Sequence, residues 1–470
     1  MPARLPFRPK KLASSIRLTP VTRADWPRFL KSASAAHRRY AAQTGFKAGT
    51  GEFLALPGRD GGIERVVVGM PERESTDGAG NLFWAWAGLP LRLPVASYRL
   101  DPEPQDPAGA TRIAIAWGFG SYAFDRYKKA ARLPAELVWP AKADRAAVES
   151  AVRADGFARD LINTPAEDMG PGELAKAARD MAAELGMQAK VIVGEALLKQ
   201  DYNLVHAVGR AAAREPRLIE LAWGNPAHPR IAIVGKGVCF DTGGLGIKTD
   251  AGMKLMKKDM GGAAHALALT RMIVEAKLKL RVHTLIPAVE NSVSGNSVRP
   301  LDVIRSKAGL TVEIGHTDAE GRLILADAFA RAGEEKPELM IDFATLTGAA
   351  RVALGPDLPA LFCNDDDLAR TLLTQGLAEN DPMWLMPLWQ AYRARFESKV
   401  ADLNNVSEGG FAGATIAALF LQAFVPAGVK WAHLDLMAWS PSARPGRPEG
   451  ALVQAVRTVF AALRERYGFA

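Results

Sequence analysis

The sequence predicts an α/β protein, with a C-terminal α/β/α sandwich built on a mixed central sheet and a smaller domain ahead of it. Three observations carry that expectation. Short apolar runs alternate with longer helical ones beyond residue 165, the pattern of a sheet covered by helices on both faces. Several of those runs end in glycines. The residues most able to do chemistry fall just after the runs, where open α/β sheets bind their ligands.

Residues 1–150 are rich in Trp, Pro and Gly, and the apolar runs 65–70 and 111–116 read as strands. Residues 141–162 read as a helix of alanines and charges, broken at Asn163, Thr164 and Pro165. Gly170, Pro171 and Gly172 then open a second helix that stops near Gly186. The expected division is an N-terminal domain at 1–150, a helical linker at 151–165 and the catalytic domain at 166–470. Within the last, "QAKVIV", "PRIAIVGKG", "RVHTLIPAVE", "LTVEIG" and "ELMIDFATLTG" read as strands, and "GGAAHALALTRMIVEAKL" as a helix opening at a glycine pair.

Composition narrows the class. The chain has 470 residues, 48% hydrophobic and 23% charged, as in ordinary globular proteins, and enough length for two or three domains. Two cysteines, Cys239 and Cys363, form no Cys-x-x-Cys pair, which argues against a disulfide framework or a thiolate zinc site. No stretch approaches the ~20 apolar residues of a spanning helix, and the apolar core of a secretory signal is missing. A soluble, cytoplasmic protein without membrane association is expected. The formal net charge is +8, spread over scattered arginines. The densest basic cluster, Arg4, Arg8, Lys10, Lys11 and Arg17, reads as a frayed, solvated terminus.

Two clusters carry chemistry. Residues 233–264 read "IVGKGVCFDTGGLGIKTDAGMKLMKKDMGGAA", with Lys236, Asp241, Lys248 and Asp259 among many glycines. Gly-Lys-Gly there lacks the spacing of a phosphate-binding loop and is no dinucleotide pattern. Residues 313–329 read "EIGHTDAEGRLILADAF", with Asp318 and Glu320 one residue apart and Arg322 close behind. Those two carboxylates fit either a cation between them or the acidic first turn of a helix. Together the clusters offer four carboxylates, a match for two divalent cations roughly 3.5–4 Å apart. No histidine is needed, so hard oxygen-binding ions such as Zn, Mn, Mg or Co suit the set.

The segments "VGKGVCFDTGG", "MKKDMGGAA" and "HTDAEGRL", in that order, resemble the leucine (cytosol) aminopeptidase family. "DFATLTGA", "VADLNNV" and "WAHLDLMAW" resemble later segments of the same family. The resemblance covers roughly residues 150–470 and implies release of N-terminal amino acids from peptides through a water or hydroxide bridging two divalent metals, Mn or Zn. It implies that Lys236, Asp241, Asp259 and Glu320 hold one ion, and that Asp241, Asp318 and Glu320 hold the other. Lys236 must then be a neutral amine, which an adjacent dication favours. Lys248 is similar to the family's catalytic lysine, which stabilises the oxyanion. Arg322 is similar to the arginine that holds a bicarbonate acting as general base. Asp259 would receive the substrate's amino group. Thr345, Leu346 and Gly348 would line the cleft with backbone groups, and Met256 and residues 437–440 would border the first side chain. The resemblance also implies a small N-terminal α/β domain and a homohexamer.

The chain departs from the family pattern at four positions. His316 replaces Asn and is expected to contact substrate or support the ligands rather than bind metal. Cys239 and Thr242 replace Thr and Ser of similar size, and Cys239 reads as a buried structural thiol. Met437 stands where the family often has a small residue and would narrow the pocket. Two competing readings remain: nucleic-acid binding as an added role, motivated only by the charge, and an inactive relative kept for assembly.

Overall fold

The computed structural model describes residues 5–9, 14–72 and 81–468. Two compact units emerge: the described residues up to Gly156 together with Ser442–Glu449, and Phe157–Pro441 with the described residues from Gly450 on. The chain passes from one to the other inside the helix Arg145–Asn163.

The first unit holds a six-stranded sheet ordered Phe7–Arg8, Glu136–Val138, Ser97–Leu100, Ile16–Val21, Ile63–Gly69, Phe53–Pro57. All pairs are parallel except the last. Two expectations fail here. Two members of the basic cluster are not frayed, because Arg8 and Arg17 sit in strands and pair with Glu136 and Glu64. Arg4, Lys10 and Lys11 lie outside the described residues. Residues 111–116 are not a strand but part of the helix Pro107–Gly120. Asp106 caps that helix, accepting the N–H groups of Ala108 and Gly109, and Pro107 starts it. The alternation in "IAIAW" mimics a strand because small alanines between large residues imitate a two-residue period.

The second unit carries the expected mixed sheet. Its central strands Arg281–Asn291, Arg230–Gly235, Leu339–Ala344 and Lys430–Asp435 run parallel. Arg217–Trp223 joins antiparallel on one side, followed by Gln188–Val193. Ala360–Cys363 joins antiparallel on the other. Gly237–Asp241 pairs with the far end of Arg281–Asn291, across a register shift between Val238 and Phe240.

Both faces of the sheet are covered, which is why the strands read as continuous apolar runs. Ala232, Val234 and Met340 share one core with Leu323, Ile324 and Phe329 of the helix Glu320–Glu334. Ile231, Ile233 and Ile341, at most 1% exposed, face the other way by alternation. The helix Gly261–Glu275 packs on Arg230–Gly235 and Leu339–Ala344. Cys239 is fully buried and unpaired, and Cys363 is also a free thiol. Among the described residues no helix is long and apolar enough to cross a membrane.

Candidate active site

The first sequence cluster lies beyond the parallel strand Arg230–Gly235, whereas the second follows Thr311–Glu313, a strand of a separate three-stranded sheet and not of the large one. Lys236 follows the strand Arg230–Gly235 and is 3% exposed. Its Nζ lies 2.8 Å from Asp259 Oδ2 and 3.1 Å from Glu320 Oε1, and it donates to the Thr345 carbonyl at 3.1 Å. Gly321 makes room for it, since a Cβ there would stand 2.6 Å from Lys236 Cε. Asp259 is in the turn Met256–Met260, just ahead of the glycine pair that opens the next helix. Glu320 is the first residue of its own helix, so the acidic helix start and the cation-ready carboxylate are the same group.

Asp241 ends the strand Gly237–Asp241 and bridges to a second lysine. Its Oδ1 accepts from Gly243 N–H at 2.8 Å and from Asn291 Nδ2 at 2.9 Å, while Oδ2 lies 2.8 Å from Lys248 Nζ. Gly243 has φ +88°, a turn that an L side chain rarely adopts. Lys248 also pairs with Asp318, whose side chain is 31% exposed. Oxygens of Asp241, Asp259 and Glu320 lie within 4.8 Å of one another. The tertiary fold therefore gathers Lys236, Asp241, Asp259 and Glu320 into one buried group, with Lys248 and Asp318 on its more open side.

The electrostatics follow from burial and crowding. Burial disfavours a charged Lys236, but Asp259, Glu320 and Asp241 outweigh it and hold the ammonium well above its ordinary pKa. Burial, then its carboxylate neighbours, push Asp241 up to about 6. Glu320 is raised for the same two reasons. Burial also raises Asp259, yet Lys236 and Lys258 bring it below the usual carboxylate range. Four carboxylates thus face three lysines, Lys236 and Lys248 at close range and Lys258 at 4.0 Å from Asp259, and Glu320 Oε2 is buried with no hydrogen-bond partner among the described residues. A divalent cation fits that excess of hard oxygen donors.

Arg322 is buried one helical position past Gly321, and burial lowers its pKa to about 10 against Glu320 and Asp435. One guanidinium nitrogen donates to the Asn405 carbonyl at 2.6 Å, and its Nε has no partner among the described residues. His316 is exposed, and its Nδ1 accepts the Asp318 N–H at 3.0 Å. The imidazole is no member of the acidic group. Met256 and Thr345 are buried, Leu346 and Met437 are half-buried, and Gly348 is exposed.

Sequence reasoning missed the residues that hold this arrangement together. Asn405 is fully buried; its Oδ1 accepts the N–H groups of Gly315 and His316, and its Nδ2 donates to the His316 and Ala319 carbonyls. It fixes the loop that carries Asp318 and Glu320 from about 90 residues away in sequence. Asn291 ties Asp241 to the Thr317 carbonyl in the same way. The segment "VADLNNV" marked the place of Asn405 without revealing its task, because an asparagine's partners lie in the fold and not beside it in the chain.

Residues 156–460 match the catalytic domain of the cytosol aminopeptidase family, and residues 16–140 match the N-terminal domain of M17 aminopeptidases. A probable cytosol aminopeptidase of Caulobacter vibrioides is 40% identical over 380 residues, 77% of this chain and 76% of the relative. The crystal structure of a cytosol aminopeptidase from Coxiella burnetii superposes with TM-score 0.94 and 44% identity, over 98% of this chain and 99% of that one. A bottromycin maturation enzyme in complex with Mn superposes with TM-score 0.83 and 34% identity, over 97% and 100% of the two chains. The protein belongs to the cytosol aminopeptidase family and is a hydrolase that acts on N-terminal residues.

Proposed function

We propose that this chain is a two-metal aminopeptidase that removes the N-terminal residue of peptides, with its catalytic part at 166–470 and its linker and N-terminal part at 151–165 and 1–150. The observation that carries this reading is the buried excess of carboxylate oxygens at Asp241, Asp259 and Glu320. Lys236, Asp241, Asp259 and Glu320 would hold one divalent ion, and Asp241, Asp318 and Glu320 the other, as Mn or Zn. When bound, such a pair supplies Lewis acidity to the scissile carbonyl and an activated water between the ions. Lys236 can serve as a ligand only as a neutral amine, and the arriving dication replaces the charge that its proton supplies to Asp259 and Glu320.

The side chains then divide the remaining work. Asp259 receives the free amino group, which confines cleavage to the first peptide bond. Lys248 sits on the open side of the group, with its ammonium kept charged by Asp241 and Asp318 despite burial. Charge there stabilises the oxyanion as it develops. Arg322 would offer its planar fork to an anion such as bicarbonate, which would take the proton of the attacking water. Every carboxylate of the group is committed to a cation, so none is left to act as that base. Thr345, Leu346 and Gly348 present backbone groups to the peptide, His316 meets it at the exposed rim, and Met256 and Met437 border the first side chain.

The chain would act in the cytoplasm on peptides with free N-termini, as a homohexamer; sedimentation at the mass of one protomer would contradict that assembly. The function itself is tested with one peptide in two forms, free and N-acetylated. Release of the first residue from the free form alone, abolished by a chelator and restored by Mn or Zn, is expected. Equal cleavage of the acetylated form, or indifference to the chelator, would sink the proposal.

A further inference from the structure

One buried cation beside the centre is absent from this division of labour. Lys258 lies in the turn Met256–Met260, next to Asp259, and is 1% exposed. Its Nζ is buried and has no hydrogen-bond partner among the described residues. Its one ion-pair partner among them is Asp259, whose Oδ1 stands 4.0 Å away. That oxygen already accepts the Thr345 hydroxyl at 2.7 Å, and Asp259 Oδ2 lies 2.8 Å from Lys236 Nζ. Of the charges farther off, Arg351 has the same sign as Lys258, and Asp435 has the opposite one. Asp435 is committed elsewhere. It ends the strand Lys430–Asp435, and its Oδ1 accepts the N–H groups of Leu346 and Thr347 while Oδ2 accepts the Thr347 hydroxyl at 2.6 Å.

A methionine would fill nearly the same space without the cost of burying a charge. No hydrogen bond and no close ion pair offsets that cost at Lys258. What the ammonium has instead is a fixed place against Asp259. Two dications balance the four carboxylates, and Lys236 joins them as a neutral amine. The charge on Lys258 is then surplus, and of the same sign as the ion beside Asp259. Lys248 carries surplus charge too, but it stands on the open side with its side chain 16% exposed, and it can turn toward solvent as an ion enters. Lys258 has no such route, and repulsion across a dry interior is poorly screened.

We infer that Lys258 is a fixed counter-charge that loosens the ion held by Lys236 and Asp259, so that this ion binds less tightly than its donors alone would hold it. The inference rests on the two-metal reading above.

The test is a calorimetric titration of chelator-stripped protein with Mn. The wild type should take up two ions per chain. In Lys258→Met, which keeps the length of the side chain without its charge, one binding step should tighten roughly 10- to 100-fold and the other by a smaller factor. Asp318→Ala assigns the step. It deletes a ligand of the other ion alone, so Lys258→Met added to it should tighten the step that remains. Lys258→Gln is equally uncharged and should behave like Lys258→Met, which keeps the test alive if that variant does not fold. Unchanged affinity, weaker binding or an equal gain at both steps would overturn the inference. A wild-type chain that takes up fewer than two ions would instead overturn the two-metal reading.

Discussion

Two buried ionic sites, one within a pair of neighbouring sheet strands and one in the segments beyond the sheet, solve the problem of burying charge in opposite ways. Asp342, on Leu339–Ala344, and His433, on Lys430–Asp435, are both fully buried. His433 Nδ1 meets Asp342 Oδ1 at 2.6 Å, and Trp431 Nε1 donates to Oδ2 at 2.9 Å. Each oxygen of that carboxylate is engaged, one by the imidazole and one by the indole N–H, while His433 Nε2 has no hydrogen-bond partner among the described residues. Burial disfavours a charged His433, but Asp342 outweighs it and holds the imidazole above its ordinary value. In the loops beyond the sheet, Asp241, Asp259, Glu320 and Asp318 outnumber Lys236, Lys248 and Lys258, and Glu320 Oε2 is left without a hydrogen-bond partner among the described residues. A one-to-one pair keeps a buried charge compensated, whereas an excess of negative charge calls for a cation from outside.

The largest expected effect removes that excess. Glu320→Ala takes a shared ligand from both proposed ions and should cost at least about 10³-fold in kcat, since a metal-bound transition state is worth several kcal/mol. Metal analysis of the purified variant should find fewer than two ions per chain; full occupancy with wild-type kcat would erase the distinction between the two sites. Asp342→Ala probes the other side of the comparison. Leaving His433 and Trp431 unpaired in the core should cost about 3–5 kcal/mol in denaturant unfolding. Activity per folded molecule and metal content should stay unchanged. A specific loss of metal would mean that the two sites are coupled.

The smallest effect lies farther along the same strand direction. His433, Asp435 and Met437 follow at spacings of two, from fully buried to half-buried. Met437→Ala should widen the pocket for the first side chain and shift preference between small and bulky N-terminal residues by roughly tenfold. Competition between two such peptides in one reaction reads the ratio directly; an unchanged ratio removes Met437 from the pocket.

Residue types at short spacing made the four clustered carboxylates legible, whereas the assignment of Lys236 and of each carboxylate to an ion came from the resemblance to the family. Lys236 and Asp241 are five apart, Asp318 and Glu320 two apart, and the glycines between them are demanded by close approach. The supports were not legible. Asn405 and Asp435 act on loops about 90 residues away, and a lone Asn or Asp in the sequence carries no sign of which backbone it will cap. The helix Pro107–Gly120 was misread because alanines alternating with larger apolar residues in its middle imitate a two-residue period.

The sequence by itself determined the α/β class, the covered sheet and the two clusters of charged residues, since hydrophobic period and charge type are local properties of the chain. Only the tertiary structure decided which carboxylates share a partner and which stand in excess, that Lys258 is buried beside Asp259, and that His433 is closed off in the core. Those outcomes depend on register between strands and on burial, and neither exists until distant segments pack.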